Sequence, residues 1–300
     1  MSKPLAGEFR RIARDRTSGA AELALRAVSA VEQWVHRHPH AGEAEVEEIA
    51  VQLLGMQRSM APLLRLANEV ALAADSSRPA RALAKSAAEF RRRLQGAPRK
   101  ISRRFAAELS GRPLWQVAIF SYSSTVVRAI VGARRRIASV LASESRPGME
   151  GLLAVGRLAQ SGLRVQLATD AAQLSLLHPA RLVMVGADAI LSHAFVNKVG
   201  TRALYLRARE LGCSVWVLTD STKLLPEAIA APFWRPSDGP AREVWPRPTR
   251  GVQVLNPLFE HTELSSTVRV LTENGWLEAG QVRRAVEAIR TSPRMKRLAD

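Results

Sequence analysis

Two kinds of hydrophobic pattern divide the chain. Up to about Arg112, apolar residues recur near the 3.6-residue period of an α-helix. Beyond it, apolar runs of strand length alternate with helical patterns, at 114–120, 137–141, 165–168, 182–185, 215–218, 252–255 and 268–271. Alternating strands and helices are typical of parallel βαβ units. The pattern therefore predicts an α/β protein in which a helical N-terminal domain (1–112) is followed by a Rossmann-like, mostly parallel sheet domain (113–300).

Three segments interrupt this pattern. The segment 36–40 contains a proline and is predicted to be a loop, and Gly96-Ala97-Pro98 is predicted to break a helix. At 226–250, six prolines predict a surface excursion after the fifth strand. We expect Trp234 and Trp245 of this excursion to be pinned to the domain, whereas an exposed pair would indicate a partner surface.

The net charge of +17 is compatible with nucleic-acid binding, because clustered cations gain affinity by releasing phosphate counterions. However, only six of the 44 basic residues are lysines, and aromatic residues make up 5% of the chain, too few for obvious base-stacking platforms. A basic cluster surrounds the predicted break at Pro98: Arg91, Arg92, Arg93, Arg99, Lys100, Arg103 and Arg104. It is either an exposed helix face leading to the domain linker or a docking patch for an acidic protein or RNA.

Several classes of protein are disfavoured. No run of about 18 apolar residues and no signal-peptide hydrophobic segment occurs, so we expect a cytoplasmic protein without a membrane partner. The lone cysteine, Cys213, excludes a disulfide framework and a multi-thiolate zinc site, and we expect it to be a small buried residue. His36, His38 and His40 with Glu43 could form a metal site, but a solvated loop is the simpler interpretation. We expect no metal and no cofactor.

The stretch 181–198 carries the first functional candidates. Leu182 to Val185 form an unbroken apolar run, as in a parallel strand covered on both faces, and a lone acid, Asp188, follows it. Ligands of open α/β sheets lie at the carboxyl ends of the strands, so Asp188 is a candidate site residue. Asn197 and Lys198 are predicted to open a helix, and a helix start that carries an amide and an ammonium suits a phosphate.

The turn after the first predicted strand is rich in hydroxyl groups. The motifs GxGxxG and GxxxxGK[ST] are absent, which disfavours dinucleotide dehydrogenases and P-loop NTPases. Ser121-Tyr122-Ser123-Ser124-Thr125 instead leads into a helical pattern and offers amides, hydroxyls and a helix N-terminus to an anion. Capping of the helix by one serine is the alternative, although it accounts for only one of the hydroxyls.

Six parts of the sequence, in the same order, resemble one protein family. They are SGAAEL (18–23), SYSSTVV (121–127), ESRPGMEG (144–151), VGADAILSHAFVNKVGT (185–201), Lys223 and NPLFEHTELSSTVRVLTENG (256–275). The family is that of the alpha, beta and delta regulatory subunits of eukaryotic translation initiation factor two-B. It also contains methylthioribose-1-phosphate isomerase and ribose-1,5-bisphosphate isomerase. The resemblance implies a helical domain on a Rossmann-like domain, with dimers formed through the latter.

The resemblance also implies roles for individual residues. The isomerases use an aspartate after the fourth strand, matched by Asp188, and bind the sugar phosphate through an Arg-Gly-Ala turn, a second arginine and an Asn-Lys pair. The residues that match the phosphate-binding positions are Gly19, Ala20, Arg58, Asn197 and Lys198, together with Lys223, which matches a lysine of the ribose-bisphosphate branch. The remaining ligand-binding candidates are Ser121, Ser123, Ser124, Thr125, Arg146 and Glu150.

Three departures from the isomerases bear on catalysis. Ser121 stands where they have a cysteine, Ser18 where the turn has its arginine, and Glu150 where the methylthioribose branch has a glutamine. A thiol with a pKa of about 8.5 exchanges protons close to neutrality, whereas a serine hydroxyl needs an adjacent base. Loss of the arginine removes a bidentate phosphate clamp.

We therefore predict a noncatalytic protein that binds a phosphorylated sugar or nucleoside monophosphate in the interdomain cleft. It would be a homodimer with a regulatory, translation-factor-like role. Asn197, Lys198, Arg58 and Lys223 would hold the phosphate, and Asp188 would accept hydrogen bonds from ribose hydroxyls. Two alternatives stay open: an aldose-ketose isomerase of a sugar 1-phosphate with Asp188 as general acid, and a basic protein- or RNA-binding scaffold with an empty cleft. In purely structural terms, Asp188 would cap its turn and Lys198 would pair with a surface acid.

Overall fold

The computed structural model describes residues 3–15, 18–111, 114–178 and 181–299. The α-helices within them are α1 (Lys3–Arg14), α2 (Ala20–Arg37), α3 (Glu43–Leu54), α4 (Ala61–Ala74), α5 (Pro79–Glu108), α6 (Ser124–Gly132), α7 (Gly151–Gln160), α8 (Asp170–Leu176), α9 (Thr201–Glu210), α10 (Glu227–Phe233), α11 (Ala279–Glu287) and α12 (Pro293–Arg297). The strands are β1 (Trp115–Ile119), β2 (Ile137–Ser143), β3 (Val165–Ala168), β4 (Arg181–Val185), β5 (Ala189–Ile190), β6 (Ala194–Lys198), β7 (Val215–Leu218), β8 (Phe259–Glu263), β9 (Val268–Thr272) and β10 (Gly275–Glu278).

The main sheet has seven strands in the order β10-β9-β7-β4-β1-β2-β3. All neighbours run parallel except β10, which is antiparallel to β9. Apolar side chains cover both faces: Val117 and Leu182 belong to the core on one face, and Ala118 and Val183 to the core on the other. This arrangement confirms the predicted α/β class with a helical N-terminal region and a mostly parallel sheet.

A small antiparallel sheet, β5-β6-β8, lies outside the predicted pattern. Asn197 and Lys198 end its central strand, so the prediction that they open a helix is wrong. The helix α9 begins at Thr201, after Gly200 with a φ of 101°. The hairpin β5-β6 packs on the helical region, where Val196 is part of the core. The apolar residues of 189–196 are therefore shared between the sheet region and the helices.

The excursion departs from the prediction at its end. The predicted strand at 252–255 is wrong: this segment is irregular, and Val252 and Leu255 are 48% and 71% exposed. Trp234 is buried in the core of the helical region, as predicted. Trp245 is exposed, so the predicted pinning holds for only one of the two tryptophans.

Helix α5 runs without interruption through Pro98, so the predicted break there is wrong. A proline within a helix removes one backbone hydrogen bond. Here, Ile101 and Phe105, which follow the proline, are fully buried beneath the main sheet, while Phe90, which precedes it, is buried among the N-terminal helices. Most helical stability comes from burying an apolar face rather than from local propensity, and α5 buries one at each end.

The C-terminal segment returns from the sheet to the helical region. Arg294 of α12 donates to Glu43, Glu47 and Asp75, each within 2.7 Å. The proposed domain boundary at 112/113 lies outside the described residues and stays a proposal. Both α5 and the C-terminal segment hold the helical region against the sheet.

Smaller expectations from the sequence concern single residues. Cys213 is buried, as predicted, and burial raises the pKa of its thiol. The predicted loop at 36–40 begins late, because α2 continues to Arg37. His38 stacks on Trp34 at 4.5 Å, and the described residues bring no group of three His, Cys, Asp or Glu side chains together for a metal. Among the described helices, none combines the length and apolarity needed to cross a membrane.

Candidate functional site

The carboxyl ends of four neighbouring strands bring several predicted residues to one edge of the main sheet. β7, β4, β1 and β2 are adjacent, and their following segments carry Lys223, Asp188, Ser121 and Glu150 respectively. The chain moves outward from β1 through β2 to β3, and then places β4 on the other side of β1. Such a reversal of strand order is where open α/β sheets bind their ligands.

Asp188 is the acid of this edge, and three charged groups act on its carboxyl. Burial raises the pKa of Asp188, Lys223 and Lys198 oppose the rise, and Glu150 adds to it. Its backbone N–H donates to the carbonyl of Val196 at 2.8 Å and so holds the hairpin β5-β6. We call Asp188, Lys198, Lys223 and Glu150 the sheet-edge group.

Lys198 forms an ion pair inside this group. Its side chain is only 5% exposed, and its Nζ lies 2.8 Å from Oε1 of Glu150. The second carboxylate oxygen of Glu150 is also buried and accepts no hydrogen bond from the described residues. Pairing with an acid, the plain structural explanation for Lys198, therefore applies here. A phosphate that used Lys198 would compete with the Glu150 carboxylate.

Lys223 ends a short 3-10 helix after β7, Ser221–Lys223. Its Nζ donates to the carbonyl of Ala187 at 2.6 Å, one residue before Asp188. The start of this 3-10 helix is held by Glu273, which accepts from the Ser221 N–H at 3.0 Å. These contacts fix the Lys223 ammonium beside the exit of β4 and explain its effect on Asp188.

The hydroxyl-rich turn after β1 has one constrained residue and one helix cap. Ser121 has a φ of 61°, and its N–H donates to Oγ of Ser145 at 2.8 Å. Ser123 is the N-cap of α6, and its Oγ accepts from the amide three residues later at 3.4 Å. Capping therefore accounts for this one hydroxyl. Ser124 is exposed and Thr125 partly exposed at the first turn of α6.

The sequence prediction missed Asp170, which supports this turn from the next loop. The Asp170 carboxylate accepts from the N–H groups of Ser145 and Arg146 at 2.8 and 2.7 Å, and Ser145 in turn supports Ser121. Asp170 directly follows β3, so the carboxyl-end rule that singled out Asp188 would have found it. The Arg146 guanidinium itself points elsewhere: it is exposed and donates to the carbonyl of Glu243 in the excursion at 3.2 Å.

A carboxylate of the chain already occupies the N-terminus of α9. The N–H groups of Gly200 and Arg202 both donate to Oε1 of Glu260, at 2.7 Å. The predicted use of this helix start for a phosphate is therefore wrong. The Asn197 side chain is buried and donates to Oγ1 of Thr201 at 3.0 Å, which ties the strand to the helix. The sequence offered one signal for Glu260, an acid within the block 256–275.

The N-terminal candidates lie apart from the sheet-edge group. Ser18 donates to Oδ2 of Asp15 at 3.0 Å, Gly19 is the exposed N-cap of α2, and Ala20 is buried. Arg58 is exposed, and its Nε donates to a carbonyl four residues earlier at 3.3 Å. Among the described residues, no hydrogen bond or ion pair joins these residues to the sheet-edge group. Their part in a shared site stays a prediction.

The fold and the sheet-edge group define a Rossmann-like α/β protein with a charged site at the switch point of its sheet. The chain belongs to the Initiation factor 2 subunit family, whose model matches residues 16–279. This confirms the family that the sequence resembles, which includes both initiation factor 2B-like subunits and sugar-phosphate isomerases.

Individual relatives come from both branches. A translation initiation factor eIF-2B subunit 2-like protein of Pyrococcus horikoshii is 30% identical over 73% of this chain and 78% of that protein. A ribose 1,5-bisphosphate isomerase of Archaeoglobus fulgidus is 34% identical, but the match covers only 45% of this chain and 44% of the isomerase. The crystal structure of a Pyrococcus horikoshii translation initiation factor eIF-2B matches 92% of this chain and 98% of its own, with a TM-score of 0.73 and 26% identity.

Proposed function

We propose that this chain binds a phosphorylated sugar or nucleoside monophosphate at the sheet-edge group, without isomerising it, and serves a regulatory, initiation factor 2B-like role. The observation that carries the proposal is the convergence of two lysines and two acids at the switch point of the sheet. Lys198 and Lys223 both act on the carboxyl of Asp188. A cation beside a hydrogen-bonding acid suits a ligand with a phosphate at one end and hydroxyls at the other.

Lys223 is the principal phosphate ligand in this proposal. Its ammonium has a backbone carbonyl as its partner rather than a carboxylate, so an incoming phosphate need not displace an ion pair. Lys198 would contribute by exchanging the Glu150 carboxylate for the phosphate. Arg58 and the turn at Gly19 would close over the ligand from the helical region, and Asn197 would keep Lys198 in place through its bond to Thr201.

The lack of catalysis rests on Ser121. An aldose-ketose isomerase needs one group that removes a proton and another that delivers one. Ser121 stands where the related isomerases have a cysteine, and its observed hydrogen bond runs from its own N–H to Ser145, not from its hydroxyl to a base. A serine without a base is a poor proton donor and acceptor at neutral pH.

A thermal-shift panel tests the binding proposal. Methylthioribose 1-phosphate, ribose 1,5-bisphosphate and nucleoside monophosphates are each added to the wild type. A ligand present at one hundred times its Kd adds about 2.7 kcal/mol to the free energy of unfolding. A rise in Tm with at least one of these, lost in Lys223→Met, supports the proposal. A Tm that no phosphorylated compound moves would overturn it.

One observation favours the isomerase alternative. Burial raises the pKa of Asp188, and a general acid must hold its proton near the working pH. NMR of the products formed from methylthioribose 1-phosphate and ribose 1,5-bisphosphate distinguishes the two functions. Turnover by the wild type that Asp188→Asn abolishes would establish the isomerase, and unchanged substrates that nevertheless raise the Tm support the noncatalytic role.

The proposed assembly is a cytoplasmic homodimer formed through the sheet domain. Its support is the resemblance, together with an edge strand, β3, that carries the half-exposed Leu167. An exposed strand edge with apolar side chains is a common site of pairing between subunits. Sedimentation velocity tests this: Leu167→Lys should convert a dimer to a monomer.

A further inference from the structure

A second charged cleft lies on the far side of α5 from the helical core contacts of Phe90. Its volume is about 540 Å³, and it is formed by α4, α5 and the turn between β9 and β10. The residues that line it are Glu69, Glu89, Arg92, Arg93, Lys100, Glu273 and Asn274. It contains part of the basic cluster that the sequence singled out, and the sheet-edge group makes no use of it.

Arg65 of α4 is the unusual residue beside this cleft. Its side chain is only 5% exposed, and Nε and Nη1 have no hydrogen-bond partner among the described residues. Burial lowers the pKa of Arg65 to about 10, and the nearby Arg93 contributes to the decrease. The guanidinium is therefore charged at neutral pH, buried and incompletely paired, which is costly unless an anion completes its contacts.

The carboxylates of the cleft do not meet this need. Glu69 lies 3.8 Å from Nη2 of Arg65 and 3.0 Å from Nη2 of Arg93, and its other oxygen accepts from Ser86. The Nε of Arg93 is also buried without a partner. The Glu273 carboxylate is turned away to the Ser221 N–H. One carboxylate thus serves two guanidinium groups that retain three unused donors, Nε and Nη1 of Arg65 and Nε of Arg93.

We infer that the cleft is a second anion site, in which Arg65 and Arg93 bind a small oxyanion of the phosphate or sulfate class. An oxyanion presents several acceptors to the two guanidinium groups, and arginine is suited to such bidentate contacts. Arg92 and Lys100, which line the same cleft, add positive charge at its mouth. The site is distinct from the sheet-edge group and uses none of its residues.

Calorimetric titration of the full chain with inorganic phosphate, and separately with sulfate, at constant ionic strength tests this inference. We expect saturable binding that persists in the double variant Lys198→Met/Lys223→Met. Arg65→Met should weaken it at least about tenfold, which corresponds to about 1.4 kcal/mol. Arg93→Gln, at a partly exposed position, should weaken it as well and serves if Arg65→Met does not fold. Arg297→Gln, on exposed α12, is the control that should leave binding unchanged.

Two outcomes would overturn the inference. One is binding lost in Lys198→Met/Lys223→Met but kept in Arg65→Met and Arg93→Gln, because the anion would then occupy the sheet-edge group alone. The other is a wild type that binds neither phosphate nor sulfate. Failure of the sugar-phosphate proposal leaves this test intact, because the double variant removes the sheet-edge lysines before the titration.

Discussion

The ammonium of Lys198 lies 2.8 Å from the carboxylate of Glu150, and the lysine side chain is 5% exposed whereas the glutamate side chain is 38% exposed. Burying a lone ammonium is costly, so Glu150 stabilises the position of Lys198 when no ligand is bound. The same carboxylate raises the pKa of Asp188. Glu150, which replaces a glutamine of the methylthioribose branch, therefore acts on two residues of the proposed site.

A double-mutant cycle measures this pair. Glu150→Gln should lower the free energy of unfolding, because it leaves Lys198 buried without a counterion. The double variant Glu150→Gln/Lys198→Met should lose less than the sum of the two single variants, with a coupling of about 1–2 kcal/mol. Urea unfolding of the four proteins gives the value. Strictly additive changes would contradict a direct interaction.

The pH dependence of stability should change in Asp188→Asn. The folded-state pKa of Asp188 lies above its unfolded value, so the folded chain binds the extra proton between these two values. Ionisation of Asp188 then lowers the stability of the wild type as pH rises from the unfolded pKa through the folded pKa. Asparagine does not ionise, so Asp188→Asn should gain stability relative to the wild type as pH rises above about 4.

Urea unfolding from about pH 4 to pH 8 measures this difference. The exposed residue Asp238 provides the control, because Asp238→Asn should follow the wild type across the range. A stability difference for Asp188→Asn that shrinks with rising pH would show that the two lysines, not burial, dominate the carboxyl.

Glu260→Gln should destabilise the start of α9. The carboxylate accepts two backbone N–H groups at this helix N-terminus, where a negative charge is also favoured by the helix dipole. We expect a loss of about 1 kcal/mol. Thermal unfolding measures it, with Glu210→Gln, an exposed glutamate at the other end of the same helix, as control. Equal effects of the two variants would contradict the capping role.

Gly200→Ala should be more harmful than Gly212→Ala. Both glycines have a positive φ, 101° and 69°, so both variants carry backbone strain of about 1–3 kcal/mol. At Gly200 the added methyl group would also lie 2.5 Å from Cζ of Phe120, whereas at Gly212 nothing lies within 4 Å. Denaturant unfolding compares them. If Gly212→Ala were equally destabilised, the contact with Phe120 would have no energetic role.

The fold was predictable where hydrophobic period and element length agree. The run 182–185 gave a fully buried strand, because four successive apolar residues suit a parallel strand covered on both faces. The small sheet was not predictable in this way, since β5 has only two residues and the signal of β6 is cut short by polar Asn197 and Lys198. The break at Pro98 was wrongly predicted because burial of Ile101 and Phe105 depends on the sheet, which is distant in sequence.

The candidate site was predictable to the same extent. The carboxyl-end rule finds Asp188, and the resemblance adds Lys198 and Lys223, which act on the same carboxyl in the structure. Neither source indicates that Glu260 caps α9, because that contact joins residues 60 positions apart. The convergence of Arg58 on the sheet-edge group stays a prediction, since its observed contacts are with nearby backbone.

The most direct test is the affinity of the chain for ribose 1,5-bisphosphate, measured by calorimetry for the wild type, Lys223→Met and Lys296→Met. Lys296 is an exposed lysine of α12, remote in sequence from the sheet-edge group. Our account predicts saturable binding that Lys223→Met weakens by at least about tenfold, or about 1.4 kcal/mol, and Lys296→Met leaves unchanged. Binding that is equally strong in all three proteins would contradict it.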